Sequence, residues 1–507
     1  MPPRNVQFLI VAIAVAILCN ITASRFRRVT LLGDAIALID RFYIDPVDET
    51  ELVESAMDGL TAQLDQHSEF IPARSFGMFN EVMDQEFAGV GILVEQPDPE
   101  GPIRIITPLV GSPALEAGLL PGDEIIGVAG QDVSTADMRE VTGLLRGPLK
   151  TEVMVRVRRK VPQGDTLVEA RLQRRNILIE SVVGDYRDGD NRWVYRLKDH
   201  PEIAYLRVSS FGEKTAMEIR GAIEGLGEGV TGLILDVRGN AGGLLNAAVE
   251  VCDDFLEEGR IVTIKRRGGE IDTEFEAIPG AIVPMGLPMV VLIDGDSASA
   301  SEVVAACLQD HGRAKLVGVR SFGKGTVQNV LPLQGGRSAL KLTTARYYRP
   351  NGQNIHRLDA APDDDLWGVR PDEGFEVPMS SGARRRLDES WQIRSFPVAL
   401  QETILRQQAS KANSGKDDVA DAKAAGRQRN RNEDDREGSP GDGDNSEPTE
   451  QGAGDQESGG PVVDPVLNRA VDHLKSLRSQ ADPNESQPKG SEKNDAEPNE
   501  GAAKRAA

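Results

Sequence analysis

The hydrophobic positions change their period along the chain, and each change marks a different kind of element. Val6 to Ala23 is almost wholly apolar, broken only by Gln7, Asn20 and Thr22, and is long enough to span a bilayer. Residues 1–28 are therefore expected to form a membrane anchor or a signal segment. No strong small-x-small cleavage site precedes Arg25, which favours an uncleaved anchor. Residues 29–85 predict a helical region: Leu31, Leu32, Ala35, Ile36, Ile39 and Phe42 form one helical stripe, and Leu52, Val53, Ala56, Met57, Leu60 and Leu64 another. Such stripes serve packing within the domain or in a homo-oligomer.

From 86 to 170 the pattern shortens into the β-like runs GVGILVE, IRIITPL, EIIGVAG and EVMVRVRR, punctuated by Gly and Pro, with one helix-like piece at Thr135–Leu145. Residues 171–400 alternate differently. IAYLRV, GLILDV, MVVLI and KLVGV are near-continuous apolar runs, as strands covered on both faces require. The helical patterns Lys214–Leu226, Leu244–Leu256 and Ser299–Gln309 follow three of them. This order predicts an α/β core with a largely parallel sheet. Between Leu405 and Val462 the only aliphatic residue beyond Ala is Val419, with no aromatics. Residues 401–460, and again 481–507, are therefore expected to be a disordered acidic tail. Between them, 461–480 predicts a helix: Asp464 caps it, Pro465 opens it, and Val466, Leu467, Ala470, Val471, Leu474 and Leu477 line one face. That face needs a partner on the folded body. The whole is an α+β multidomain chain.

The formal net charge of −22 excludes nucleic-acid binding, which needs a basic face. The three cysteines, Cys19, Cys252 and Cys307, are too dispersed for a disulfide framework or a metal site and read as buried thiols. No metal or organic cofactor is implied.

The chemistry concentrates in VVLIDGDSASASEVVAACLQDHGRAKLVGVRSFGKGTVQNVLPL, residues 290–333. A buried strand ends in a turn, and a helix starts within SASASE. Ser299 then sits near a helix N-terminus, where free N–H groups and the helix dipole favour developing negative charge. A serine nucleophile needs a base. His311 falls at the far end of the same helix, too distant to serve. Lys324, between Gly323 and Gly325, can act as a base if burial lowers its pKa. Gln328 is placed to orient the amine without adding a charge. Taken singly, a serine at a helix start is also an ordinary cap, and a lone lysine is ordinarily solvated.

The block resembles the carboxy-terminal processing peptidases, or tail-specific proteases, through SASASE, QDHGRA and SFGKGTVQ. The resemblance runs from about Ala35 to Val377. It implies an α/β core of crotonase/ClpP-like type, Ser299 as nucleophile, Lys324 as general base and Gln328 as its orienting partner. LILDVRGNAGGLL is similar to the family's oxyanion-hole segment, which implies Gly242 or Gly243 together with the Ala300 N–H. Ala241 stands where the family usually has Pro. The block FAGVGI…GSPALEAGLLPGDEIIGVAGQDV resembles a PDZ domain, a module that captures a peptide C-terminus by strand addition. Gly89, Val90, Gly91 and Ile92 would then form the carboxylate loop and first pairing strand. Met138, Val141 and Leu145 either line the side-chain pocket or pack the module. The expectation is a single-pass membrane peptidase, its catalytic body outside the cytoplasm, acting on proteins with apolar, unstructured C-termini, with an oligomer or adaptor as a possible partner. The alternatives are a catalytically inactive PDZ scaffold and an acyl-CoA enzyme of similar architecture.

Overall fold

A computed structural model describes residues 31–161, 164–358, 365–406 and 463–481, with Ile13 and Pro362 besides. No helix among the described residues is long and apolar enough to cross a membrane. Apart from Ile13, the apolar stretch Val6–Ala23 lies outside the described residues, as do 407–460 and 482–507 of the expected disordered tail. Residues 401–406 correct that expectation: they are helical, because Leu400 and Ile404 find apolar partners on the β module.

The centre of the fold is a five-stranded sheet in the order Val182–Val183, Ile203–Val208, Gly232–Asp236, Met289–Ile293, Lys315–Gly318. The last four run parallel. Because side chains alternate across a sheet, each apolar run feeds two cores. Ala204, Leu206, Val291 and Ile293 face the helices Thr215–Glu224, Leu245–Phe255 and Ala300–Asp310. Ile203, Tyr205, Val290 and Leu292 face the opposite way, against Val466, Ala470, Val471 and Leu474 of the closing helix Pro465–Ala481. The partner the sequence demanded for that helix is thus the sheet itself.

Asp464 caps the closing helix, its Oδ1 accepting the Leu467 N–H at 3.0 Å. The same carboxylate takes both terminal nitrogens of Arg238, at 2.9 and 2.8 Å. Arg238 also grips Asp236, the end of the central strand. Burial pushes the Arg238 pKa down, but the two carboxylates outweigh it and hold it well above its ordinary value.

A second five-stranded sheet is antiparallel: Glu69–Ile71, Ser338–Tyr348, Arg260–Arg266 and Ile271–Glu276, with Thr326–Leu333 also pairing Ser338–Tyr348. This corrects the wholly helical reading of 29–85. The segment holds helices over 31–42, Glu49–Thr61 and Ala73–Asp84, but Glu69–Ile71 is a strand paired with Ser338–Tyr348. Three residues are too short to show a period in sequence.

The β module has the sheet order Ile92–Glu95, Ile103–Pro108, Glu124–Val128, Glu152–Val161, Gly164–Gln173. Its helix Met138–Leu145 starts later than expected because Asp137 caps it, accepting the Glu140 N–H at 2.8 Å. The module is joined to the body by a ribbon of Glu86–Gly89 against Arg175–Leu178. Phe396, Leu400 and Ile404 also pack on its Ile106, Leu115 and Leu120.

Candidate active site

Ser299 lies where the strand Met289–Ile293 turns into the helix Ala300–Asp310. It is buried, and its backbone has φ 57° and ψ −115°. A residue with a Cβ avoids that conformation, and such strain persists only where the surroundings impose it. The neighbouring serines show what a structural role looks like. Ser297 Oγ donates to the Val237 carbonyl at 2.9 Å, and Ser301 Oγ to the Asn240 carbonyl at 2.8 Å. Both are tied to the loop that follows the central strand. Among the described residues Ser299 Oγ gives its hydrogen to no backbone carbonyl; it meets the hydroxyl of Tyr347, whose pKa burial pushes up to about 12.

Glu302 is the hub. Its buried carboxylate accepts the Ser299 N–H at 2.8 Å, the Gly323 N–H at 2.7 Å, the Lys324 N–H at 2.8 Å and the Ser321 hydroxyl at 2.6 Å. Burial pushes its pKa up to about 7 against the pull of these four donors. The loop carrying Lys324 is therefore fastened to the helix carrying Ser299. Gly325 is required on that loop: a Cβ there would come within 2.2 Å of the His356 backbone nitrogen.

Lys324 is half-buried, and burial, followed by the charge of Lys341, lowers its pKa. Its Nζ makes no hydrogen bond to Ser299 or Gln328 among the described residues. Gln328 instead gives its amide hydrogens to Thr326 Oγ1 at 2.8 Å and Thr343 Oγ1 at 3.1 Å. His311 binds the Arg260 carbonyl at 2.7 Å, at the far end of the helix as expected. His67 lies near Lys324; burial and that charge lower its pKa.

Of the two candidate oxyanion glycines, only one has a free N–H. Gly242 donates to Asn240 Oδ1 at 2.8 Å. The N–H groups of Gly243 and Ala300 have no acceptor among the described residues. Gly242 still matters sterically: a Cβ on it would lie 2.8 Å from the Ser299 Cβ.

In the β module, Ile92–Glu95 is an edge strand, so its outer backbone groups face no neighbour in the sheet. Ile92 begins it. Gly89 belongs instead to the connecting ribbon, and Val90 is a core residue whose carbonyl receives the Ala114 N–H. The Gly91 carbonyl receives the Leu109 N–H, leaving a tight turn before the edge. Val141 and Leu145 are buried in the module's core, while Met138 is only partly covered. Pocket-facing and core-facing positions share one helical period, so sequence could not separate them.

The profile of peptidase family S41 matches residues 202–372, and that of a PDZ domain matches 105–159. The chain is 32% identical over 383 residues to a carboxy-terminal-processing protease of Bartonella bacilliformis, covering 74% of this chain and 84% of that one. It belongs to that family of carboxy-terminal processing serine peptidases. The carboxy-terminal processing protease CtpA of Bacillus subtilis is 31% identical over 68% of this chain and 69% of its own length. The solved photosystem II D1 C-terminal processing protease is 27% identical, covering 73% of this chain and 98% of that one at a TM-score of 0.38.

Sequence reasoning missed Glu302, Asn240 and Tyr347 in this peptidase's site. The Glu302 signal was present: an acid three residues after a helix-capping serine reaches back to the cap's N–H. Nothing local marks Tyr347, which arrives on a distant strand.

Proposed function

We propose that this peptidase cuts protein substrates with a Ser299–Lys324 dyad after its PDZ domain has captured their C-termini. The observation that carries the reading is the shared anchoring of Ser299 and Lys324 on Glu302, while Ser297 and Ser301 give their hydroxyls to backbone carbonyls. In the reaction, Ser299 Oγ bonds to the peptide carbonyl carbon as its proton passes to the neutral Lys324 amine. The carbonyl oxygen becomes an oxyanion facing the N–H groups of Gly243 and Ala300. The C–N bond then breaks, and Lys324 returns the proton to the leaving amine. Water repeats the sequence on the acyl-enzyme. The open edge of Ile92–Glu95 supports capture by strand addition, and Met138 supports an apolar preference.

The test compares wild type, S299A and K324A on a peptide with an apolar, unstructured C-terminus, with products weighed by mass spectrometry. Wild type should cut, and both variants should bind without cutting. Cleavage by S299A would overturn the assignment; capture without cleavage by wild type would leave a peptide-binding scaffold. The apolar Val6–Ala23 stretch supports a membrane-anchored peptidase facing away from the cytoplasm. Membrane fractionation and protease accessibility of the body test that placement.

A further inference from the structure

We infer that Asp65 is a positioning residue for the dyad, acting through Thr343 and Gln328 on Lys324. The inference rests on the dyad reading above and adds to it a residue from the N-terminal segment, outside the span matched by the peptidase family.

The chain turns at Asp65 just before the strand Glu69–Ile71. Asp65 Oδ1 accepts the His67 N–H at 2.8 Å, and its Oδ2 accepts the Ser68 hydroxyl at 3.1 Å. Oδ1 also accepts the Thr343 hydroxyl at 3.2 Å, 278 residues away. The Thr343 N–H binds Ser68 Oγ at 3.1 Å. Thr343 is therefore held by this turn through both backbone and side chain.

The sequence of donors has one consistent direction. An ionised carboxylate can only accept, so Thr343 must spend its single hydrogen on Asp65. Its oxygen can then only accept from Gln328, which sits opposite it in the strand pair. The second Gln328 hydrogen goes to Thr326. Both amide hydrogens are spent, so Oε1 is the polar atom left over, and it can only accept. A lysine amine presents donors. Without Asp65, the Thr343 hydroxyl is free to rotate and donate, and the Gln328 amide is free to flip its NH₂ outward. Turned so, the side chain would offer Lys324 a donor in place of the acceptor Oε1. A glutamine amide has no orientation of its own; the hydrogen-bond chain it joins decides it.

The charges around Lys324 give the variants distinct signatures. Lys341 on the strand Ser338–Tyr348 disfavours the ammonium. Glu302 on the nucleophile helix favours it, as do Glu69 and Asp65 on the N-terminal segment. His67 of that segment also lies close enough to feel the Lys324 charge. Asp65 itself stays ionised: burial opposes this, but the hydrogen bonds from His67, Thr343 and Ser68 outweigh it and lower its pKa.

The test measures kcat and KM against pH for T343V, T343S, D65N and the D65N/T343V pair in the full chain, with thermal melting as a folding control. T343V should lose roughly tenfold in kcat with KM little changed, the scale of a disturbed proton transfer. T343S, which keeps the hydroxyl, should recover most of it. D65N should lose a similar factor and shift the rising limb of its pH profile to lower pH, because a carboxylate favouring the ammonium is gone. The double variant should be no worse than the worse single one, as members of one chain are not additive. Wild-type kcat in a folded T343V would overturn the inference. Equal losses in T343S and T343V, tracking the melting temperature, would also overturn it by reducing the turn to a structural role. K324A separates the two levels: an active K324A defeats the dyad reading itself, whereas an inactive K324A beside a fully active T343V defeats only this inference.

Discussion

The backbone N–H groups of Ser299 and Lys324 share one acceptor, Oε2 of Glu302, each at 2.8 Å. The two amide nitrogens therefore lie within twice that distance of each other, although 25 residues separate them in the chain. The proposed nucleophile and base arrive on different elements, and a buried carboxylate fixes the spacing of their backbones.

Replacing that carboxylate by an amide should be severe. E302Q turns one acceptor oxygen into a donor facing N–H groups. Each donor left unsatisfied costs about 1–3 kcal/mol. We expect lower stability in urea titrations and a kcat reduced by roughly a hundredfold or more. An E302Q protein with wild-type turnover would remove Glu302 from the site.

Glu302 also predicts a pH dependence of stability. Its folded pKa, about 7, lies above the ordinary 4.5, so the folded state holds a proton that the unfolded state has released between those values. Its contribution to stability is fully present below about 4.5 and is lost as pH rises through about 7. In E302Q this dependence should be absent from the difference between parallel denaturation series at pH 5 and pH 8.

Lys324 predicts the activity profile. Burial lowers its pKa, and the neutral amine is the proposed working form. Activity should rise with pH along a limb lying below that of a solvated lysine, near 10.4. K324R should be inactive, since a guanidinium stays protonated across this range. Retained turnover in K324R would exclude the lysine as base.

Asn240 predicts an effect on the oxyanion loop. Its side chain donates to the Val208 carbonyl at 3.0 Å and accepts the Gly242 N–H, while its carbonyl receives Ala298 N–H and Ser301 Oγ. N240A frees Gly242 and loosens the turn that presents Gly243. A kcat loss of roughly ten- to a hundredfold with KM preserved is expected, the mark of an interaction made in the transition state.

Asp464 predicts a purely structural loss. Removing one partner of a buried ion pair leaves the other uncompensated, at about 3–5 kcal/mol. D464A should melt earlier and release the closing helix to proteolysis. Because Arg238 holds the end of the strand that leads into the Asn240–Gly243 loop, activity should fall with it.

The sequence alone determined the period of each apolar run, and so the parallel core strands, their helices, and the cap and stripe of the closing helix. It also singled out Ser299, Lys324 and Gln328, because their chemistry lies in one contiguous block. Tertiary structure decided what depends on contacts between distant segments: the second sheet, the strand Glu69–Ile71, the hydrogen bond that occupies the Gly242 N–H, and the burial of Val141 and Leu145. It also placed Asp65 beside Thr343 and left Lys324 without a hydrogen bond to Ser299. The physical reason is that periodicity encodes which face of an element avoids water, whereas the partner of a hydrogen bond or an ion pair is fixed only when separate elements meet.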